Sequence, residues 1–176
     1  MKILAISGSL RKDSYNTALL KAMKALAPEN IEITFFDELG SIPLFNPDID
    51  PNTVVSVIAF KNSLAETDGL FLSSPEYAHG ISGVLKNALD WLVSGEEFVD
   101  MPVAIFNTSP RASHALDSLY EIVRTMSGNI IDSACITVPL LGSNLTGEGI
   151  VEDHVMSESI QSAINAFYVG TVDVNN

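Results

Sequence analysis

Short apolar runs alternate along this chain with longer stretches whose apolar positions recur at steps of three and four residues. The short runs predict five strands, at Lys2–Ser7, Ile31–Phe36, Gly69–Ser73, Val103–Asn107 and Ile130–Val138. The longer stretches predict helices at Asn16–Ala27, Thr53–Thr67, Gly83–Ser94, Ser113–Met126 and Glu152–Tyr168. In the third of these, Val84, Leu85, Ala88, Leu89 and Leu92 mark one stripe, and Lys86 stands four residues before Asp90, a spacing at which the two pair. The stripe reads as core packing, and Trp91 as a packing or subunit-contact residue. Strand and helix in alternation signal βαβ units, so the expected fold class is α/β, a doubly wound five-stranded parallel sheet with helices on both faces.

Composition narrows the picture. With 176 residues and 47% hydrophobic content, the chain is read as one domain over residues 1–176, able to bury a core and one cofactor-sized pocket. The opening apolar run is broken at Gly8, too early for a secretory signal, and no run approaches the roughly 18 residues of a membrane span, so a soluble, cytoplasmic protein is expected. With 22 Asp and Glu against 9 Lys and Arg, the net charge is −13, which argues against nucleic acid and membrane surfaces as partners. Cys135 is the single cysteine; its strand-like run, Ser133 to Val138, predicts a buried, inert thiol in a reducing compartment. His79, His114 and His154 have no metal-ligand spacing, and no metal is assigned. The Pro-, Asp- and Asn-rich piece 43–51 predicts a surface loop.

In doubly wound sheets ligands bind beyond the carboxyl ends of the strands, which selects the loops 8–16, 74–82 and 108–112. The first runs Gly8-Ser9-Leu10-Arg11-Lys12-Asp13-Ser14-Tyr15-Asn16 from an apolar strand into a helix and holds two of the nine cations. That arrangement aims backbone N–H groups, side-chain donors and a positive helix end at one point, and predicts a phosphate cradle. Neither G-x-G-x-x-G in the first turn nor G-x-x-x-x-G-K-[ST] anywhere is present, so dinucleotide dehydrogenases and P-loop nucleotidases fit poorly. The hydroxyls of Ser9, Ser14 and Thr17, the Arg11 guanidinium and the Asn16 amide suit one terminal phosphate dianion, such as a mononucleotide carries. The second loop, Pro75-Glu76-Tyr77-Ala78-His79-Gly80, offers an aromatic face at Tyr77 and backbone donors for the edges of a flat ring; a solvated turn is the competing reading.

Three segments resemble the NADPH-dependent FMN reductase family of flavodoxin-like proteins, the group of bacterial chromate and quinone reductases and azoreductases. Residues 8–16 resemble its G-S-L-R-x-x-S-x-N, Ser74-Pro75-Glu76-Tyr77 its S-P-E-Y, and Gly83 to Trp91 its G-x-L-K-N-A-x-D-W. The resemblance implies a flavodoxin-like strand order of 2-1-3-4-5. It implies FMN with its phosphate held by the Ser9–Asn16 loop, through Ser9, Leu10, Arg11, Ser14, Tyr15 and Asn16. Pro75, Glu76, Tyr77 and Ala78 would lie along the isoalloxazine ring, largely through backbone atoms, with Ser109 on its other side. Ala78, Gly80 and Ser82 stand where the family usually has Asn, Ser and Pro.

Arg111 would face the reduced flavin's N1/O2 edge or the 2′-phosphate of NADPH; a solvated helix-start arginine is the alternative. The implied reaction takes a hydride from NADPH or NADH to FMN and passes two electrons to a quinone, flavin, azo or metal-oxyanion acceptor by a ping-pong mechanism, with no catalytic acid or base. A homodimer or homotetramer is implied, with the third and fourth helices across a two-fold axis. A flavodoxin-type electron carrier and a flavin-free binding module are the competing readings.

Overall fold

A computed structural model describes residues 1–174. Its centre is a parallel sheet in which β2 (Glu32–Phe35), β1 (Lys2–Ser7), β3 (Gly69–Ser73) and β6 (Pro102–Asn107) lie side by side. The far edge of β6 carries two short pieces, β7 (Asn129–Ile130) and β8 (Ile136–Thr137). The order is the expected flavodoxin-like one, 2-1-3-4-5, with the fifth strand split. Strands β1, β3 and β6 are apolar almost throughout because both faces of the sheet are covered.

Side-chain alternation sorts the core into two layers. Leu4, Ile6, Leu70, Leu72, Val103 and Ile105 pack against α2 (Val55–Ala65), α3 (Gly83–Asp90) and α4 (Ser113–Thr125). Ile3, Ala5, Phe71, Ala104 and Phe106 pack on the other face, against α1 (Tyr15–Leu26) and α6 (His154–Val174). Phe167 of α6 meets Phe71 edge-on with centroids 4.9 Å apart, and Phe71 meets Phe106 in the same way at 4.9 Å.

The fifth strand departs from the expected continuous run Ile130–Val138. Between the pairs Val103–Ile130 and Phe106–Ile136, β6 advances three residues while the partner advances six. The surplus leaves the ladder as a 3-10 turn at Asp132–Ala134, a segment rich in turn formers. Cys135 closes the gap: its Sγ accepts from the Ile105 N–H at 3.2 Å, where a strand carbonyl would otherwise stand. The thiol is half-buried rather than fully buried, and burial raises its pKa, which suits the inert role expected of it.

Two elements are additional to the expected set. A hairpin, β4 (Glu76–Tyr77) with β5 (Gly80–Ile81), follows β3, and a short helix α5 (Gly147–Glu152), capped by Thr146, precedes α6. Loop 43–51 lies on the surface as expected, strapped at one end by Asn87 and Trp91: the Trp91 Nε1–H donates to the Pro43 carbonyl at 2.8 Å and Asn87 Nδ2 to the same oxygen at 2.9 Å. Trp91, Leu89 and Leu92 are each 1% exposed, so they pack inside their own chain and leave nothing for a subunit contact. Lys86 and Asp90 pair as their spacing predicts. Among the described residues no helix is long and apolar enough to cross a membrane, and no three His, Cys, Asp or Glu converge as metal ligands.

Truncating Phe167→Ala removes the ring that links α6 to the sheet. By analogy with other buried aromatic truncations it should cost about 3–5 kcal/mol, read as a lower urea midpoint with an unchanged m-value.

Candidate functional site

The three loops expected at the ligand end of the sheet come together. Gly8 donates its N–H to the Ser73 carbonyl at 2.8 Å, so the first loop leaves β1 alongside the end of β3. A Cβ at Gly8 would stand 2.9 Å from Ser82 Oγ and 3.0 Å from Ser74 Oγ, so glycine is what lets the first and second loops touch. Within the loop, Ser9 Oγ accepts from the Arg11 N–H at 3.3 Å, and Ser14 caps α1 by accepting from Thr17 N–H at 3.5 Å. Ala18 N–H bonds the Ser14 carbonyl, so of the first-turn donors those of Tyr15 and Asn16 have no acceptor inside the helix. Arg11 and Lys12 are exposed, and among the described residues neither forms an ion pair. Leu10 is 60% exposed and lies over Gly40.

Two residues expected at the phosphate also bond within the protein. Thr17 Oγ1 bonds Ser7 Oγ at 2.8 Å. Asn16 is 5% exposed, and its Oδ1 accepts from Ser73 Oγ at 2.8 Å and Thr108 Oγ1 at 3.3 Å. One amide oxygen thus ties the start of α1 to the ends of β3 and β6. Tyr15 reaches sideways, its hydroxyl accepting from the Asn144 N–H at 3.2 Å.

In the second loop Ser74 Oγ accepts from Ser82 N–H at 3.2 Å, and Ser82 in turn caps α3, accepting from Leu85 N–H at 3.3 Å. The hairpin turns on Ala78 and His79, with φ of 50° and 61°. Both lie in the left-handed region, where a residue with a Cβ costs about 1–2 kcal/mol. Two contacts hold the turn: His79 Nδ1 bonds Glu76 Oε1 at 3.1 Å, and the His79 and His114 rings meet edge-on at 4.5 Å. Tyr77 is 53% exposed on the same hairpin.

The Glu76 side chain points toward α4. Helix α4 begins at Ala112 with no side-chain cap of its own. Glu76 Oε2 supplies one from the hairpin, accepting from the Ala115 N–H at 2.9 Å. That backbone bond is the main reason the Glu76 carboxyl sits below its ordinary pKa; burial opposes it, and His79 and then His114 add smaller lowering effects. In the third loop Ser109 is folded back: its hydroxyl accepts from Arg111 N–H at 3.3 Å and its carbonyl from Asn107 Nδ2 at 2.7 Å. Arg111 is exposed at the start of α4, without an ion pair among the described residues.

A family model described as NADPH-dependent FMN reductase matches residues 1–139. The chain belongs to that family. It is 44% identical over 91 residues to a 2-hydroxy-1,4-benzoquinone reductase of Burkholderia sp., the alignment covering 52% of this chain and 49% of that protein. To an NAD(P)H-dependent FMN reductase of Pseudomonas aeruginosa it is 35% identical over 129 residues, covering 72% of this chain and 69% of the other. The chain therefore spans about half of the first relative and about two thirds of the second. Among solved structures, the flavoenzyme NAD(P)H:(acceptor) oxidoreductase FerB of Paracoccus denitrificans superposes with a TM-score of 0.80 over 98% of this chain and 97% of that one, at 24% identity. That likeness establishes the shared fold.

Sequence reasoning located all three loops and missed three connections between them: the Asn16 bracket, the Glu76 cap on α4 and the His79–His114 contact. No local signal marks them: each joins residues far apart along the chain, and the predicted fourth helix opens on a serine.

Because the folded-state pKa of Glu76 is depressed, its contribution to stability is present above the ordinary carboxylate range and is lost as pH falls through the lowered value. A Glu76→Gln variant should therefore melt below wild type at pH 7, with the two melting curves converging in acid. Thermal denaturation from pH 7 down to pH 3 checks this.

Proposed function

We propose that this protein is an NAD(P)H-dependent reductase that works with bound FMN and delivers electrons to a small acceptor of the quinone class. The observation that carries the reading is the donor set of the first loop. Arg11, the hydroxyls of Ser9 and Ser14, and the first-turn N–H groups of Tyr15 and Asn16 gather on one short loop of a chain whose net charge is −13. This set fits a phosphate dianion, and the cap at Ser14 leaves the helix donors free for it. Leu10 completes the loop as an exposed apolar side chain.

The second and third loops fit the remainder of FMN. Pro75, Tyr77 and Ala78 of the hairpin would lie along one side of the ring, with the half-exposed Tyr77 as the stacking face, and Ser109 would approach from the other side. Glu76 acts from behind, as the clasp that ties the hairpin to α4. Bound flavin would accept a hydride from the nicotinamide and return two electrons to the acceptor at one shared face, which is ping-pong chemistry. The chain's residues orient the ring, exclude water from one face and supply positive charge; no side chain is needed as acid or base.

Arg111 precedes α4 as an exposed cation without an ion pair among the described residues, and its exposure suits a mobile partner, the 2′-phosphate of NADPH. The names of the relatives, a 2-hydroxy-1,4-benzoquinone reductase and an NAD(P)H-dependent FMN reductase, support quinones and flavins as acceptors. Assembly into two or four copies rests on the family likeness, since Leu89, Trp91 and Leu92 are buried within the chain.

Flavin-free protein incubated with FMN and desalted should retain about one FMN per chain, and anaerobic NADPH should bleach it; a colourless product, or retained FMN that NADPH leaves yellow, would refute the assignment. Arg11→Ala should weaken FMN about 10- to 100-fold, the loss of one charged hydrogen bond to phosphate, by fluorescence titration. Arg111→Ala should raise the KM for NADPH and erode any preference over NADH; identical constants for both nucleotides before and after the change would remove the 2′-phosphate role.

A further inference from the structure

Two of the three histidines of this chain meet between the hairpin and α4. His79 is in the turn of the hairpin, and His114 is the second residue of α4. Their rings meet edge-on with centroids 4.5 Å apart, and His79 Nδ1 lies 3.1 Å from Glu76 Oε1. The other oxygen of that carboxylate caps α4 by accepting from the Ala115 N–H at 2.9 Å. Three titratable side chains thus join hairpin to helix as one cluster.

Helix α4 packs on both strands of the hairpin, so the charges that bear on the cluster come from these two elements. Glu76 is the one acid of the hairpin, and the charged groups that act on it are the two imidazoles. Tyr77, the remaining titratable side chain there, is half exposed. On the helix side Arg111 stands three residues before His114 and Asp117 three residues after it. Both are exposed, and among the described residues neither pairs with the cluster.

One acid therefore faces two imidazoles. A single proton on the pair is favourable, because an imidazolium beside Glu76 turns the hydrogen bond into an ion pair. A second proton is opposed twice: it would set two like charges 4.5 Å apart, and it would leave a cation in the first turn of α4, where the helix dipole disfavours it. Protons reach such a pair in two steps that belong to both rings together. The hairpin has a reason to move when its hold weakens. Ala78 and His79 are kept in the left-handed region, at φ of 50° and 61°, by the surroundings that the cluster provides.

We propose that Glu76, His79 and His114 form a proton-sensitive latch on the ring site: it holds the hairpin against α4 while the two imidazoles carry at most one proton, and a second proton releases it. The proposal rests on the reading of the hairpin and third loop as the walls of the flavin site. Its sign follows directly. The latched form binds flavin and takes up fewer protons, so affinity is full near neutral pH and is lost as pH falls through the range in which histidines gain charge, about pH 8 to 5.

Fluorescence titration of FMN into flavin-free protein at about pH 7.5 and about pH 5 tests the latch, with wild type, His114→Phe and His79→Asn in parallel. Phenylalanine keeps an aromatic edge without the charge, asparagine tolerates the left-handed turn, and both substituted residues are exposed. The flavin phosphate gains a proton near pH 6 in all three proteins alike, so the difference between them isolates the imidazoles. Between the two pH values the wild-type Kd should rise about tenfold more than that of either variant, as one linked proton requires over about one pH unit. By reciprocity, the NMR titrations of the His79 and His114 ring protons should move to lower pH when FMN is bound. Kd profiles that stay parallel within about twofold, or ring protons that titrate identically with and without FMN, overturn the latch alone. Failure of FMN to bind at either pH removes the flavin assignment, and the latch with it.

Discussion

One buried amide holds the ligand end of this sheet together. Asn16 Oδ1 takes hydrogen bonds from Ser73 and Thr108, residues 57 and 92 positions away along the chain. Three parallel strands bring their carboxyl ends to the same edge, and each end leaves polar groups that water would otherwise have to satisfy. With Asn16 at 5% and Ser73 at 0% exposure, those groups must be paired inside the protein or cost their full desolvation. The pairing fixes where α1 starts relative to β3 and β6, and so fixes the cradle's donors against the other two loops.

The second constraint is a division of labour around α4. The helix begins without a cap, and the hairpin turn sits in a left-handed conformation at two residues that bear side chains. Each defect answers the other. Glu76 caps the helix and grips His79, and His79 lies against His114 of that same helix. Strain of this kind persists where the surroundings over-determine it, and such places cluster at ligand sites. Here it fixes the spacing between the hairpin and the third loop, the two walls of the proposed ring cleft. The family usually places Asn at the position of Ala78, a residue that tolerates the left-handed region; in this chain the clasp takes over that function.

Much of the fold was legible because its signals are short. A buried parallel strand needs only four to six apolar residues, and β1, β3 and β6 provide them, so the sheet and its order followed from local pattern and family motifs. The fifth strand was read as continuous because Ile130 to Val138 is apolar enough throughout; that three surplus residues must leave the ladder depends on register with β6, which no local pattern carries. Helix α5 escaped because Gly147 and Gly149 argue against a helix, and its reason for existing, a close approach to α1, is a contact with another element.

The same boundary runs through the site. By itself the sequence determined the three loops and the charge contrast of Arg11 and Lys12 within an acidic chain, because each depends on residues within a few positions of one another. Tertiary structure decided what the polar side chains in those loops actually do: Asn16 as bracket, Thr17 as partner of Ser7, Glu76 as cap for α4, Trp91 as strap for loop 43–51. A side chain with several lone pairs or protons has several possible partners, and which one it meets is set by how the strands and helices pack, since burial leaves an unpaired polar group no alternative in water.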